Sequence, residues 1–255
     1  MSSTQVGILY SFGRSGSTLL NQCLGCHPAN AIFSEVNPAA SCVEVGWQAQ
    51  HWLDLLEPAE SPGFASAAYP EQIMEVVMRG TQRRRHIVLR DWSTLNFLPG
   101  VRPEIEPSGV LEQEYYLAQI PVSIGRLVLA RRANDVFHSL RTRFPQYHRL
   151  EVDQFARCYL NFARHVAQYP VIHLEDFCAQ PTAVLPAACA HLGCAYPEDF
   201  TEKFFAYRKC TGNITLQKKI ASNQSPRITP LPPSAWTVLH PLLNEADQLL
   251  GYEID

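Results

Sequence analysis

Apolar and polar positions along this chain form blocks that predict strands followed by helices. Short apolar runs typical of buried strands cover residues 5–12, 31–33, 86–90, 126–130 and 170–174. Helical spacing of apolar residues is found over 16–26, 39–56, 71–85, 135–143, 152–168, 182–193 and 234–250. Residues 57–70 and 99–109 are rich in proline, glycine and small residues, which predicts surface loops. The alternation of strands and helices predicts an α/β fold, a three-layer sandwich around a mainly parallel central sheet.

Composition narrows the class of protein. The chain has 255 residues, of which 46% are hydrophobic and 18% charged, and we expect one domain over 1–255 with a substantial core. The net charge of -3 indicates no bulk binding to nucleic acid or to an anionic membrane. Residues 1–5 carry no basic region ahead of an apolar block, and no run is long enough to cross a bilayer. We therefore expect a cytoplasmic protein, and leave its oligomeric state open.

The eight cysteines are scattered, and most lie in apolar helical patterns. Reduced thiols in the core are the simplest interpretation. One local pattern, Cys23-Leu-Gly-Cys26-His27, matches the signature for haem attachment. That chemistry requires export, and no second Cys/His pair stands at zinc-ligand spacing. We expect no metal site.

The most informative segment runs from Val6 to Leu20, where an apolar run ends in a Gly/Ser loop and a helix follows at once. Such a turn points backbone N–H groups and the positive end of a helix dipole at one place. Gly13 and Gly16 let the loop curl, and Arg14 adds a fixed positive charge. Further hydroxyl donors come from Ser15, Ser17 and Thr18. The loop is therefore predicted to bind a compact anion, phosphate or sulfate.

Two alternatives to that interpretation stay open. A Walker A loop would have Gly-x-x-x-x-Gly-Lys-Ser/Thr, but here the spacing is shorter and no lysine follows Gly16. A nucleotide kinase or NTPase is thus the weaker reading of the loop. A turn without a ligand is also open, although Arg14 would be unusual in one.

A second segment has the same order of a strand, a polar turn and a helix. The strand 126–130 runs into Arg131-Arg132 and a helix, with Arg131 at the carboxyl end of the strand, where ligands of open α/β sheets bind. Ser139 follows eight residues later, two helical turns on. A surface turn with solvated arginines is the plain alternative.

Together the two segments resemble the sulfotransferases that use 3′-phosphoadenosine 5′-phosphosulfate (PAPS). Phe12-Gly-Arg-Ser-Gly-Ser-Thr-Leu-Leu20 is similar to their 5′-phosphosulfate loop, and Leu129-Ala-Arg-Arg-Ala-Asn-Asp-Val-Phe-His-Ser-Leu140 to their 3′-phosphate motif. Val171-Ile-His-Leu-Glu-Asp-Phe177 with Gln180-Pro181 resembles a later strand of the family. The branch most similar has Arg-Ser-Gly-Thr/Ser-Thr in the loop, as in tyrosylprotein and several bacterial sulfotransferases. A P-loop NTPase-like fold is implied.

The resemblance also implies roles for particular residues. Donor-binding positions would be Arg14, Ser15, Gly16, Ser17, Thr18, Arg131 and Ser139, with Lys219 and Arg227 as C-terminal candidates beside Lys218. In the similar branch a glutamate that follows the His-Pro pair is the general base. Here His27-Pro28 is followed by Glu35, with Asp91 as an alternative base at a strand end. Glu35 as a surface carboxylate, and His173 as a core histidine with satisfied hydrogen bonds, are the plain alternatives.

The implied activity is transfer of a sulfuryl group from PAPS to a hydroxyl or amine of a small organic acceptor, releasing 3′,5′-adenosine bisphosphate (PAP). The transfer would be in-line, with Arg14 and loop N–H groups stabilising developing charge and Glu35 taking the acceptor proton. No metal is required. The other functions left open are a P-loop-type kinase or NTPase and a relative that binds nucleotide without catalysis.

Overall fold

A computed structural model describes residues 5–212 and 240–253 of the chain. Its central sheet has five parallel strands in the order β2-β3-β1-β4-β5. The strands are β1 Gln5–Tyr10, β2 Asn30–Val36, β3 His86–Asp91, β4 Ser123–Ala130 and β5 Val171–His173. The predicted α/β fold with a mainly parallel sheet is confirmed.

Helices cover both faces of this sheet. The first six are α1 Ser17–Gly25, α2 Val45–Trp47, α3 Ser61–Ser66, α4 Tyr69–Gln82, α5 Ser93–Phe97 and α6 Glu112–Leu117. The others are α7 Ala133–Arg143, α8 Val152–Val166, α9 Leu174–Ala179, α10 Pro181–Leu192, α11 Phe200–Lys203 and α12 Pro241–Leu249. No helix within residues 5–212 and 240–253 has the length and apolar character needed to cross a membrane.

The alternation of side chains along β1 explains why the sheet has a separate hydrophobic core on each of its faces. Ile8 and Tyr10 point into a core shared with α4, α7, α8 and α12, whereas Leu9 points into a second core with α1, α9 and α10. Gly7 lies on the second face, where an added Cβ would approach the carbonyl oxygen of Leu192 to 2.5 Å. Helix α10 can therefore pack directly on the sheet only because this position has no side chain.

Two of the predicted elements are wrong. Residues 37–44 form a loop instead of the start of a helix, and α2 continues as a π-helical turn over Gln48–Trp52. The amide of Gln48 explains this, because it bonds the backbone N–H and the carbonyl oxygen of Ser34 and so fixes the turn against β2. Residues 57–70, predicted as a loop, contain a 3₁₀ turn at Pro58–Glu60 and α3.

The pairing of β1 with β4 determines where the two predicted anion-binding turns meet. The strands are parallel and adjacent, with Tyr10 opposite Val128. The loop that follows β1 and the turn that follows β4 therefore emerge side by side at the same edge of the sheet. This edge is where ligands of open α/β sheets bind.

Candidate active site

The loop after β1 is a tight turn that uses two left-handed residues. Arg14 has φ 77° and Gly16 has φ 85°. The turn closes with a hydrogen bond from the Ser15 N–H to the Phe12 carbonyl oxygen at 3.1 Å, and α1 begins at Ser17. The Gly13 N–H donates to the Thr94 hydroxyl at 2.6 Å, which ties the loop to the segment after β3. The local sequence thus produces the helix-terminal cradle that the motif predicts.

The Ser15 hydroxyl is buried and makes no hydrogen bond within the described structure. Ser15 is fully buried, and its Oγ has no hydrogen-bond partner in the described structure. Buried polar groups are rarely left unpaired, because each costs about 1–3 kcal/mol in that state. A hydroxyl of this kind, next to the N-terminus of α1, fits a bound anion.

The structure brings Arg14 together with Arg131 and Ser139, although Arg14 lies more than a hundred residues from both in sequence. The Arg14 Nε donates to the Ser139 Oγ at 3.0 Å. The Arg131 Nη1 donates to the Arg14 carbonyl oxygen at 3.2 Å. Asp135 lies 3.9 Å from the Arg131 Nε, which has no hydrogen-bond partner of its own. The two predicted anion sites are therefore parts of one cluster.

Positive charge accumulates in this cluster beyond what neighbouring carboxylates balance. Burial lowers the pKa of Arg14, and the charges of Arg131 and Arg143 lower it further. The Arg14 guanidinium also lies over the ring of Phe144, 5.4 Å from its centroid. Guanidinium groups that repel one another in a half-buried place are stabilised by an anion between them. Arg143 was not singled out from the sequence; its signal is its position four residues after Ser139, on the same face of α7.

Glu35, the predicted base, lies in a bulge of β2. The pairing of β2 with β3 shifts between Ser34 and Val36, and Glu35 has φ 51°. The bulge turns its side chain out of the ladder, and 24% of that side chain stays exposed. The Glu35 charge acts on Arg14 and raises the pKa of that guanidinium, which places the carboxylate within electrostatic reach of the loop.

Arg90 is a second residue that the sequence analysis did not single out. It is fully buried at the end of β3, and its Nη2 lies 2.9 Å from the Glu35 Oε1. Its Nη1 also donates to the Thr18 Oγ1 at 3.3 Å. A single guanidinium therefore joins the predicted base to the predicted phosphate loop. The available signal was an arginine inside an apolar strand, which is costly unless it is paired.

Thr211 completes this part of the site from far along the chain. Its hydroxyl accepts from the Arg90 Nη2 at 2.8 Å and exchanges a hydrogen bond with the Ser34 Oγ at 2.9 Å. Its carbonyl oxygen accepts from the Thr18 hydroxyl at 3.3 Å. The backbone of Gly212 packs against Thr18 so closely that a Cβ would lie 2.3 Å from its Oγ1. The end of the described segment thus covers the first turn of α1.

Asp91, the alternative base, and His173 each lie in a network of hydrogen bonds. The Asp91 carboxylate accepts from the Ser93 hydroxyl at 2.6 Å and from the Asn37 amide at 3.2 Å. Burial raises its pKa to about 7. His173 bonds the Leu250 carbonyl oxygen at 2.8 Å, and its ring stacks on Tyr252 with 4.0 Å between centroids. Both side chains are held in structural networks, as the plain interpretation of His173 predicts.

The cysteines form neither disulfides nor a metal site within the described part of the chain. All eight are free thiols. Residues 5–212 and 240–253 contain no group of three or more His, Cys, Asp or Glu side chains that could hold a metal ion. The C-terminal candidates Lys218, Lys219 and Arg227 lie outside the described residues.

Comparison with known proteins identifies the fold. Neither a protein-family model nor a curated protein matches the chain. The sulfotransferase domain of the Synechococcus PCC 7002 olefin synthase superimposes with a TM-score of 0.60 at 18% identity, over 99% of this chain and 96% of that domain. The sulfotransferase domain from the curacin biosynthetic pathway gives 0.53 at 15% identity, over 98% and 99%. The chain therefore has the fold of sulfotransferase domains, as the two motifs predict.

Proposed function

We propose that the protein is a PAPS-dependent sulfotransferase that acts on a hydroxyl or amine of a small organic acceptor. One observation carries the proposal: Arg14 bonds Ser139 of the second anion site and is also within electrostatic reach of Glu35. A ligand at this place would meet the positive charges of Arg14 and Arg131 in one extended cluster, with the Glu35 carboxylate linked to the same loop through Arg90. That combination suits a nucleotide with anions at both ends and a reaction that removes a proton.

The donor would be held by two sets of groups. Loop N–H groups and the Ser15 hydroxyl suit the 5′-phosphosulfate, since they lie at the start of α1. The Arg14 guanidinium bonds Ser139 and would extend this positive site towards the 3′-phosphate. Ser17 and Thr18 add hydroxyls in the first turn of that helix. Arg131 and Ser139 suit the 3′-phosphate, because the Arg131 Nε has no hydrogen-bond partner and both residues contact Arg14. These contacts would separate PAPS from nucleotides without a 3′-phosphate.

The transfer itself needs one bond formed and one broken. The acceptor oxygen or nitrogen attacks sulfur, the bond from sulfur to the bridging oxygen breaks, and PAP leaves. Glu35 takes the acceptor proton, a contribution of roughly 10²–10⁴-fold in rate. Positive groups that face the equatorial and leaving oxygens stabilise developing charge, and Arg14 is placed to do so. Arg90 positions Glu35 from the buried side.

The sulfotransferase domains of similar fold, from an olefin synthase and from the curacin biosynthetic pathway, agree with the proposed class of reaction. A kinase has less support. No lysine follows Gly16 at the loop, where a Walker A motif requires one for the β- and γ-phosphates.

The direct test is transfer of label. The full chain is incubated with ³⁵S-labelled PAPS and a panel of hydroxyl and amine acceptors, and labelled product and PAP are measured. In parallel, melting temperatures are compared with PAP and with ATP plus magnesium. The proposal requires labelled product and stabilisation by PAP. Stabilisation by PAP without transfer would indicate a nucleotide-binding relative, and stabilisation by ATP only with magnesium would indicate a kinase or NTPase.

A further inference from the structure

The turn that carries Arg131 is held at three successive backbone positions. The Tyr159 hydroxyl donates to the Arg131 carbonyl oxygen at 2.7 Å. The Arg132 N–H donates to the Glu175 Oε1 at a longer 3.4 Å, and the Ala133 N–H donates to the Asp247 Oδ1 at 2.9 Å. The three side chains come from α8, α9 and α12. Helices α8 and α9 therefore hold the peptide group between Arg131 and Arg132, and α12 holds the next one.

Among the three side chains that hold the turn, Asp247 is a buried carboxylate. It lies on the buried side of α12 and is only 6% exposed, so its carboxylate is removed from water. Burial raises its pKa to about 6. At neutral pH the group is ionised and faces the N-terminus of α7, where a negative charge is favourable.

The packing of α12 does not require a carboxylate at this position. Leu243, Ala246 and Leu250 of the same segment are fully buried and supply its apolar contact with the core. A buried carboxylate costs free energy that an apolar side chain would not. Its hydrogen bond to the Ala133 N–H gives it a positional role.

The same C-terminal segment reaches the turn a second time. The Tyr252 hydroxyl donates to the Glu175 Oε2 at 2.8 Å, which orients the carboxylate that accepts from Arg132. The Arg132 guanidinium lies over the Tyr252 ring, 4.9 Å from its centroid. Residues 240–253 thus hold both N–H groups of the turn, one directly and one through Glu175.

We propose that Asp247 is a positioning residue of the donor site, which makes α12 part of the apparatus that reads the 3′-phosphate. It fixes the first peptide of α7 and thereby the backbone from which the Arg131 side chain leaves. The inference rests on the proposed function, since it assigns Arg131 to the 3′-phosphate. Displacements of about 1 Å in such positioning groups are costly for phosphate contacts with defined geometry.

The test compares two ligands that differ only in the 3′-phosphate. Calorimetry on the full chain gives dissociation constants for PAP and for adenosine 5′-monophosphate. Asp247→Ala should weaken PAP about five- to tenfold, the effect of one lost positional hydrogen bond, and leave the monophosphate within about twofold. Asp247→Asn keeps an oxygen acceptor for the Ala133 N–H, so PAP affinity should return to within about threefold of wild type.

Two further variants serve as a control on the same helix and as a substitute if Asp247→Ala does not fold. Glu245→Ala on the same helix removes an exposed ion pair with Arg164 and should change neither ligand. If Asp247→Ala fails to fold, Tyr252→Phe removes the bond to Glu175 and should weaken PAP alone, by about two- to threefold.

Equal losses for both ligands, or no loss of PAP affinity in Asp247→Ala, would overturn the positioning role. Wild-type protein that binds the monophosphate as tightly as PAP would overturn the proposed donor and this inference with it.

Discussion

The guanidinium of Arg90 and the carboxylate of Glu35 form an ion pair at 2.9 Å across the neighbouring strands β3 and β2. Arg90 is fully buried, whereas Glu35 keeps about a quarter of its side chain in solvent. The ion pair is therefore shielded from solvent at Arg90 and open to solvent at Glu35, from where the proposed acceptor would approach. It places the proposed base at the boundary between the core and the donor loop.

Replacement of Arg90 by lysine should lower activity without unfolding the protein. Arg90→Lys keeps a positive charge but cannot contact Glu35, Thr18 and Thr211 at once, since an ammonium group lacks the guanidinium fork. We expect the fold to persist and kcat to fall about 10²-fold, as for loss of a preorganised donor. Steady-state kinetics with labelled PAPS measure the loss. The control is Arg83→Ala, at the far end of the sheet, which should change nothing.

Glu35→Gln should remove turnover and spare donor binding. The amide keeps the shape of the side chain but cannot take a proton, so kcat should fall about 10²–10⁴-fold. The Kd for PAP, measured by calorimetry, should stay within about threefold, because Glu35 is not assigned a donor contact. Unchanged turnover would mean that a different group is the base.

Arg131→Ala should remove selectivity for the 3′-phosphate. A charge-assisted contact to phosphate contributes about 1.5–3 kcal/mol, so PAP affinity should fall roughly 10–100-fold. Adenosine 5′-monophosphate should bind as it does to the wild type. The ratio of the two dissociation constants is the measurement, and a parallel fall in both would place Arg131 elsewhere.

Gly16, in the loop before α1, can be tested against Gly63 in α3 as a control for the same substitution. At Gly16, φ is 85° and an added Cβ would lie 2.4 Å from the Leu174 Cδ1. Gly16→Ala should therefore cost about 2–4 kcal/mol and lower the melting temperature by several degrees. An added Cβ at Gly63, in α3, meets no atom within 4 Å, so Gly63→Ala should leave the melting temperature unchanged or slightly higher.

The buried Asp91 predicts a pH-dependent stability. Burial raises its pKa from 3.8 to about 7, so the folded protein binds this proton more tightly than the unfolded chain. The contribution is full below about pH 3.8 and is lost as pH rises through about 7. The free energy of unfolding of wild type, relative to Asp91→Asn, should fall across this interval and level off above it. Urea unfolding at a series of pH values gives the difference, and a constant difference would contradict the assignment.

Local sequence was sufficient to predict the loop after β1 and the start of α1. Gly16 allows the left-handed turn that closes the loop, and hydrophobic spacing marks the strand and helix on either side. That the two anion-binding turns lie at one edge of the sheet agrees with the predicted parallel pairing, whereas the direct bond between Arg14 and Ser139 was not predicted. These features depend on residues close in sequence or on a general property of parallel sheets.

The environment of Glu35 could not be predicted in the same way. Its partner Arg90 is 55 positions away, and Thr211, which bonds Arg90, is another 121 positions on. The helix predicted over 39–56 starts late because Gln48 bonds Ser34 across the bulge, a contact that periodicity does not contain. Pairings of this kind depend on how distant strands and loops pack, and only the folded chain defines them.

The register of β1 against β4 sets the spacing of the proposed nucleotide site. Neighbouring parallel strands are kept about 4.8 Å apart by their hydrogen bonds, and the two anion-binding turns begin directly where these strands end. The separation between the turns is therefore set by the pairing of two central strands of the sheet. A nucleotide whose charged ends are too close together cannot be accommodated by a moving loop without distorting the ladder that supports both turns.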